Sequence, residues 1–295
     1  AVELRDSDEL AYGGKGVLRA VNHVNREIAE ALKGDDPFDQ IKIDQKMREL
    51  DGTPNKGRLG ANAILAVSLA VAKAAAKSRQ MELFEYVNSL AGSPRMSLPM
   101  PMINVMNGGQ HALGATDFQE YMIIPISAAT FADAMQMSAE VFHTLAKILK
   151  SEDYPTTVGD EGGYAPKVRG GNMEPMQLLS RAIEQAGYKL GTDFGFALDV
   201  AASELYKDGK YNLATEKRVL NAEEMIRTYK ALLGKVPVLS IEDGLDEEAW
   251  MDWQKLTAEL GNFAQLVGDD LLVTNVQRLK RGIELKAANA ILIKP

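Results

Sequence analysis

Acidic residues end three successive apolar runs in the second half of this 295-residue chain. Asp199, Glu242 and Asp269 each close such a run, and a fourth run, 290–294, ends in Lys294. The runs are short, rich in β-branched or aromatic residues, and separated from one another by helix-length segments. This pattern predicts buried parallel strands joined by right-handed helical crossovers, and therefore an α/β fold.

The strand-end acids suggest a metal site. In a β/α barrel, the C-terminal ends of all the strands meet at one end of the molecule, so Asp199, Glu242 and Asp269 are expected to converge there. Three carboxylates favour a hard cation that prefers oxygen ligands, which predicts Mg²⁺ rather than zinc. The alternative is that each acid only caps the helix that follows it. Three acids followed by a strand-end lysine favour the metal site.

Composition narrows the possible functions. The chain is 46% hydrophobic and 25% charged, as in globular proteins. Its net charge of −8, with no basic cluster, disfavours nucleic-acid binding. Because there is no cysteine, a disulfide, a thiolate zinc site and a cysteine nucleophile are excluded. The most apolar stretch, 61–76, contains Lys73 and is interpreted as a short core helix, so we predict no transmembrane segment.

Three prolines within 92–101 mark a predicted domain boundary. We predict that residues 1–91 form the helical part of a small α+β N-terminal domain, with 1–6 inside a strand. Residues 97–295 are predicted to form a TIM-type β/α barrel that is incomplete here, since we count about six strands where a closed barrel needs eight. We therefore expect this chain to be an internal fragment that is inactive as it stands.

Two glycine-containing loops carry further candidate residues. Glu161 lies in the loop 158–163, and His111 follows a predicted strand and two glycines, shortly before Gln119 and Glu120. A solvated turn is the usual role of an Asp-Glu-Gly-Gly sequence, and a lone histidine is usually structural. A loop histidine next to two strand-end polar side chains is nevertheless a suitable arrangement for binding an anionic substrate.

Taken in order along the chain, these segments resemble the signature segments of bacterial-type enolases. The resemblance extends from Ala1 to Pro295 and is to the enolase family itself rather than to the wider superfamily of acid-sugar dehydratases. Any one segment is weak evidence, but seven in order are specific. The segments are 107–111, 119–120, 158–163, 197–204, 240–245, 267–275 and 291–295.

The resemblance implies a role for each matching residue. Asp199, Glu242 and Asp269 would be the ligands of a tightly bound Mg²⁺. Lys294 would be the base that accepts the C2 proton of 2-phosphoglycerate, and Glu161 the acid that protonates the departing C3 hydroxyl. The residues that would contact the substrate are His111, Gln119 and Glu120.

The same resemblance implies a lyase of glycolysis and gluconeogenesis that interconverts 2-phosphoglycerate and phosphoenolpyruvate. It also implies a homo-oligomer, dimeric or octameric, in the cytoplasm, although family members are also found secreted or at the cell surface. Two alternatives stay open. One is another Mg²⁺-dependent dehydratase on the same barrel, and the other is a non-catalytic role in binding cell-surface partners.

Overall fold

The computed structural model describes residues 1–294. Pro295, which ends the predicted domain 97–295 and the segment 291–295, lies outside the described residues. The chain divides into two compact units, Ala1–Ser97 and Leu98–Pro295.

The first unit is built from helices around a small apolar core. A π turn at Val24–Ile28 joins the first two helices into one continuous rod. Ile28 and Met47 are completely buried in this core. The helices are α1 (Leu18–His23), α2 (Ala29–Leu32), α3 (Gln40–Asp51), α4 (Ala61–Ser78) and α5 (Leu83–Leu90).

The strand predicted over residues 1–6 is wrong. This segment is extended, but its backbone bonds go to loops. Val2 N donates to Asn55 O at 2.8 Å, and Asp6 N donates to Gly16 O at 2.8 Å. Because neither partner belongs to a strand, no ladder forms, and a sheet is absent from the first unit within the described residues.

Helix α4 is longer than the sequence analysis assumed. It has 18 residues with a mean hydropathy of 1.2, enough by length and composition alone to cross a membrane. The length of this segment therefore does not exclude a membrane span. One such helix is weak evidence for a membrane span, and only 28% of it is buried in the unit.

The second unit is organised on a six-stranded sheet with the order β1-β2-β3-β7-β8-β9. Strand β2 runs antiparallel to both of its neighbours, whereas β3, β7, β8 and β9 are parallel to one another. Within the described residues this sheet is open. Its strands are β1 (Ile103–Asn107), β2 (Glu120–Ile124), β3 (Gly195–Asp199), β7 (Val238–Glu242), β8 (Gln265–Gly268) and β9 (Ala290–Ile291).

Helices follow the strands and cover the sheet with apolar side chains. Trp253, Tyr229 and Phe196 are almost completely buried in the core between them. Asn221 and Glu224 form a capping box at the start of the helix Ala222–Leu233, since each side chain accepts a hydrogen bond from the other residue's backbone N–H. The helices are α6 (Phe131–Ser151), α7 (Glu174–Gln185), α8 (Ala222–Leu233), α9 (Trp250–Leu260) and α10 (Val276–Leu285).

A second, three-stranded antiparallel sheet lies between β3 and α8 and was not predicted. It consists of β4 (Tyr206–Lys207), β5 (Lys210–Leu213) and β6 (Arg218–Leu220). These strands are short and mostly polar on their exposed face, so they lack the apolar runs by which the longer strands were recognised. The predicted fold class, an α/β barrel-type unit preceded by a smaller domain, is confirmed. The four strands predicted to be parallel are parallel, whereas β2 runs against them.

Gly108 is required where the chain leaves β1. A Cβ atom at this position would lie 1.7 Å from Thr116 Oγ1 and 2.4 Å from Phe118 O, both in the segment that returns to β2. We expect Gly108→Ala to destabilise the protein by about 1–3 kcal/mol, because the two backbone segments must separate. Urea unfolding measures this. The matched control is Gly234→Ala, whose Cβ would have no neighbour closer than 3.7 Å, and equal stability of the two variants would contradict the argument.

Candidate functional site

One end of the main sheet carries a row of polar residues on adjacent strands. Asn107 pairs with Glu120, Glu120 with Asp199, and Asp199 with Glu242. Side chains at directly paired positions point to the same face of a sheet. The ladder therefore places three carboxylates side by side across β2, β3 and β7.

The reversed direction of β2 explains why Glu120 joins this row. Asp199 and Glu242 are the last residues of their strands, whereas Glu120 is the first residue of β2. Because β2 is antiparallel to β3, its N-terminal end lies at the same edge as the C-terminal end of β3. A parallel β2 would have put Glu120 at the opposite end of the sheet.

Asp243, which the sequence analysis passed over, connects the acids of neighbouring strands. Its buried carboxylate accepts hydrogen bonds from the backbone N–H of Asp269 at 3.1 Å and of Asp270 at 2.8 Å. Its own N–H donates to Val267 O at 3.0 Å, and its φ is +42°. Asp243 thus fixes the loop after β8 against the end of β7. Its only signal in the sequence was adjacency to Glu242.

The predicted ligands are arranged in two overlapping groups. Asp199 and Glu242 offer oxygen atoms within 4.8 Å of one another and of Asp243. Asp269 groups instead with Asp243 and Asp270 under the same limit. The structure therefore brings Asp199 and Glu242 directly together. Asp269 is linked to them through Asp243, which belongs to both groups.

The helix-cap alternative is not supported for these acids. Helices α8 and α10 are capped by the side chains of Asn221 and Asn275, and α9 begins after Ala249. Asp199 Oδ1 accepts only a local bond, from the N–H of Ala201 at 3.0 Å. The strand-end carboxylates are thus free of helix capping.

Crowding and burial make these carboxylates hard to ionise. Burial, followed by the charge of Asp199, raises the pKa of Glu242 to about 9. Burial likewise raises the pKa of Asp243 to about 7 and that of Asp199 to about 6. For Glu120, burial and then its contact with Glu161 raise the pKa to about 8. A cation beside any of these groups would lower its pKa and favour the ionised carboxylate.

The donor set fits a hard divalent cation. Among residues 1–294, no arginine, lysine or histidine forms an ion pair with Asp199, Glu242 or Asp243, although all three are buried. Buried carboxylates without a counter-charge are costly, and a bound cation offsets that cost. All the donors are oxygen atoms, which Mg²⁺ and Ca²⁺ prefer.

Lys294 lies just beyond β9 rather than at a strand end, because β9 is shorter than predicted. Its backbone N–H donates to Thr274 Oγ1 at 3.0 Å, and its Nζ lies 2.6 Å from Asp269 Oδ2. This bond to Asp269 is the main cause that raises the pKa of Lys294. The lowered pKa expected for a base is therefore absent while Asp269 is its partner.

Glu161 is held at the other side of the site by a loop docked on β1. Tyr164 N donates to Val105 O, and Asn107 N donates to Tyr164 O, both at 2.9 Å, so the loop extends the sheet by one bridge. Gly163 permits this approach, since a Cβ there would lie 2.5 Å from Asn107 Oδ1.

The Glu161 carboxylate has two polar neighbours. Asn104 Nδ2 donates to Oε2 at 3.4 Å, and His111 Nε2 lies 4.0 Å from Oε1. His111 Nδ1 is 3.5 Å from Glu120 Oε1, so the histidine lies between the two carboxylates. Asn104 was not recognised in the sequence, since an asparagine inside an apolar strand carries no signal of its own.

Gln119, the residue immediately before β2, supports the acidic cluster. Its Nε2 donates to Asp199 Oδ2 at 3.0 Å, which leaves Oδ1 to the N–H of Ala201. The amide therefore fixes the orientation of the Asp199 carboxylate.

One cavity of about 590 Å³ collects these residues in the second unit. Lys294 and Asp269 lie together in its lining, as do Glu161 and His111. The eight candidate residues that line it are His111, Gln119, Glu120, Glu161, Asp199, Glu242, Asp269 and Lys294. An acid, a lysine and a carboxylate cluster around one space provide the elements of metal-assisted proton transfer.

The raised pKa values predict how the stability of the metal-free protein depends on pH. Groups whose pKa is higher in the folded state than the ordinary value near 4 bind more protons when folded. Their contribution is present at low pH and is lost as pH rises towards the folded pKa values of about 6 to 9. With EDTA present, the melting temperature should fall between pH 5.5 and pH 8.5.

Magnesium should oppose that fall, since it binds the ionised carboxylates. Glu242→Gln should flatten the dependence on pH, because it removes the group with the highest of these pKa values. A melting temperature that stays constant or rises over this range in EDTA would contradict the carboxylate arrangement described above.

Asp269 provides a direct test of the metal site. We expect Asp269→Ala to weaken Mg²⁺ binding by at least about a hundredfold in isothermal titration calorimetry, because a charged ligand is lost. Glu284→Ala, which removes the same charge from the exposed face of α10, is the matched control. Equal Mg²⁺ affinity of the two variants would remove Asp269 from the site.

Comparison with known families gives two matches that together leave only residues 88–94 uncovered. Residues 95–295 match the family model described as the enolase C-terminal TIM barrel domain. Residues 1–87 match the model described as the enolase N-terminal domain. The first match contains all eight candidate residues.

Proposed function

The chain belongs to the enolase family, and we propose that it catalyses the Mg²⁺-dependent, reversible dehydration of 2-phosphoglycerate to phosphoenolpyruvate. The family match supports an enzyme, and the reaction itself is the proposal. The observation that carries it is the single cavity in which Glu161, Lys294 and the strand-end carboxylates face one space.

Asp199, Glu242 and Asp269 would hold the magnesium ion. A bound divalent cation supplies positive charge that stabilises the second negative charge developing on the substrate carboxylate as the C2 proton leaves. Gln119 keeps Asp199 in position through its hydrogen bond of 3.0 Å. Asp243 does the same for the backbone of Asp269. These two residues thus position the metal ligands.

Lys294 would accept the C2 proton, for which it must first be neutral. Its ion pair with Asp269 opposes this, because the carboxylate favours the protonated ammonium. A cation held by Asp269 would weaken this ion pair and lower the pKa of Lys294, which would favour its action as a base.

Glu161 would give a proton to the departing C3 hydroxyl, which is otherwise a poor leaving group. Asn104 and His111 hold its carboxylate at the edge of the cavity. Glu120, whose raised pKa keeps it protonated near neutral pH, would contact the substrate together with His111 and Gln119. Acid and base come from different loops, so the fold is needed to bring them together.

The proposal has consequences for the cellular role of the protein. Interconversion of these two substrates places it in glycolysis and gluconeogenesis, and we infer a cytoplasmic enzyme. We also infer that the protein assembles as a homodimer or an octamer. Sedimentation of the purified full-length protein measures it directly.

Isotope exchange separates the roles of base and acid. In the full-length protein, Lys294→Ala should abolish exchange of the C2 proton with solvent deuterium. Glu161→Gln should retain exchange while phosphoenolpyruvate formation falls by about 10²–10⁴, because only the second step needs that proton donor. NMR of the substrate and absorbance of the product measure the two steps.

Two outcomes would count against this assignment. Equal loss of exchange in both variants would contradict the separate roles of Lys294 and Glu161. Dehydration of unphosphorylated glycerate by the wild-type protein as fast as of 2-phosphoglycerate would favour another Mg²⁺-dependent dehydratase.

A further inference from the structure

A second cavity in the same unit shares no lining residue with the acidic site. It has a volume of about 440 Å³ and lies among α7, α8, strand β6 and the turn that precedes α7. None of the candidate catalytic or metal-binding residues reaches it. A ligand in this cavity would therefore not contact the acidic cluster.

The floor of this cavity is apolar and rigidly packed. It is formed by Phe118, Met176, Leu220 and Leu232, each of which is at most 6% exposed. Such side chains belong to the main core, so the cavity is a depression in packed structure. Its apolar floor favours the hydrocarbon part of a ligand.

The rim carries charges, and its acidic groups are already engaged. Glu216 forms an ion pair with Arg218 at 3.0 Å and accepts the N–H of Asn172 at 3.2 Å. Glu224 accepts the N–H of Asn221 at 2.8 Å as part of the cap of α8. Glu216 is thus paired with Arg218, whereas Glu224 keeps its negative charge. With Arg218, Arg227 and Lys235 opposing these two carboxylates, the lining has one positive charge in excess.

Two cations on the same rim have no such partner. Arg227 and Lys235 are exposed, and among residues 1–294 neither forms an ion pair. Other basic residues nearby are paired, such as Lys230 with Glu259 at 3.4 Å. In a chain with a net charge of −8, two unpaired cations above an apolar floor form a local site of opposite sign.

We propose that this cavity binds an organic anion with an apolar tail, such as a medium-chain carboxylate. The tail would lie against Met176 and Leu232, and the carboxylate would lie between Arg227 and Lys235. The excess positive charge of the lining disfavours a cationic ligand, and the apolar floor disfavours a small hydrated anion such as inorganic phosphate.

The test uses octanoate as the probe and octanamide, of the same length but uncharged, as its control. Methyl resonances of Met173 and Met176, assigned by Met→Leu substitution, report occupation of the cavity. Octanoate should shift both in a saturable way, with one molecule bound per chain, and equally in Mg²⁺ and in EDTA. Octanamide should bind about tenfold more weakly, since it lacks the charge.

Variants locate the site. Arg227→Glu combined with Lys235→Glu should weaken octanoate binding by about tenfold or more. Lys230→Glu combined with Lys255→Glu makes the same change in net charge outside the cavity and should leave binding unchanged. Ala231→Trp, at an exposed position that lines the cavity, should block binding by filling the space.

Three results would overturn the proposal. They are the absence of saturable shifts at the two methionines, equal binding of octanamide and octanoate, and unchanged affinity in the Arg227→Glu/Lys235→Glu variant. Thermal melts of each variant show whether the fold is intact, and Ala231→Trp provides an independent reading if the charge-reversed variant unfolds.

Discussion

Everything at the acidic end of the sheet depends on holding like charges together against their mutual repulsion. Glu120, Asp199 and Glu242 occupy directly paired positions on three neighbouring strands, so the ladder hydrogen bonds fix their spacing. The strands cannot slip by one residue without turning their apolar side chains out of the core. The packing of the apolar core thus offsets the free-energy cost of holding the carboxylates close together.

Local interactions then set the orientation of each acid. Gln119 holds Asp199, and Asp243 holds the backbone that carries Asp269 and Asp270. The loop bearing Glu161 is attached separately, through the bridge between Tyr164 and β1. Glu161 and Lys294, the proposed acid and base, are therefore supported by different parts of the sheet.

The sequence predicted the parts of this site that follow from strand periodicity. Asp199 and Glu242 were recognisable because each ends an apolar run, and Lys294 because it follows one. The direction of β2 could not be read from its five residues, since an apolar strand looks the same in either direction. Asp243 was missed because its role depends on hydrogen bonds from the loop after the neighbouring strand β8. That loop is distant in sequence and comes close only in the folded sheet.

We propose that the carboxylates at this edge of the sheet bind one divalent cation. Crystals of the full-length protein grown with Mn²⁺, which replaces Mg²⁺ in oxygen-ligand sites and scatters anomalously, test this directly. We expect an anomalous peak within about 2.0–2.6 Å of carboxylate oxygens of Asp199, Glu242 and Asp269. A peak elsewhere, or an acidic cluster without a peak at saturating Mn²⁺, would contradict it.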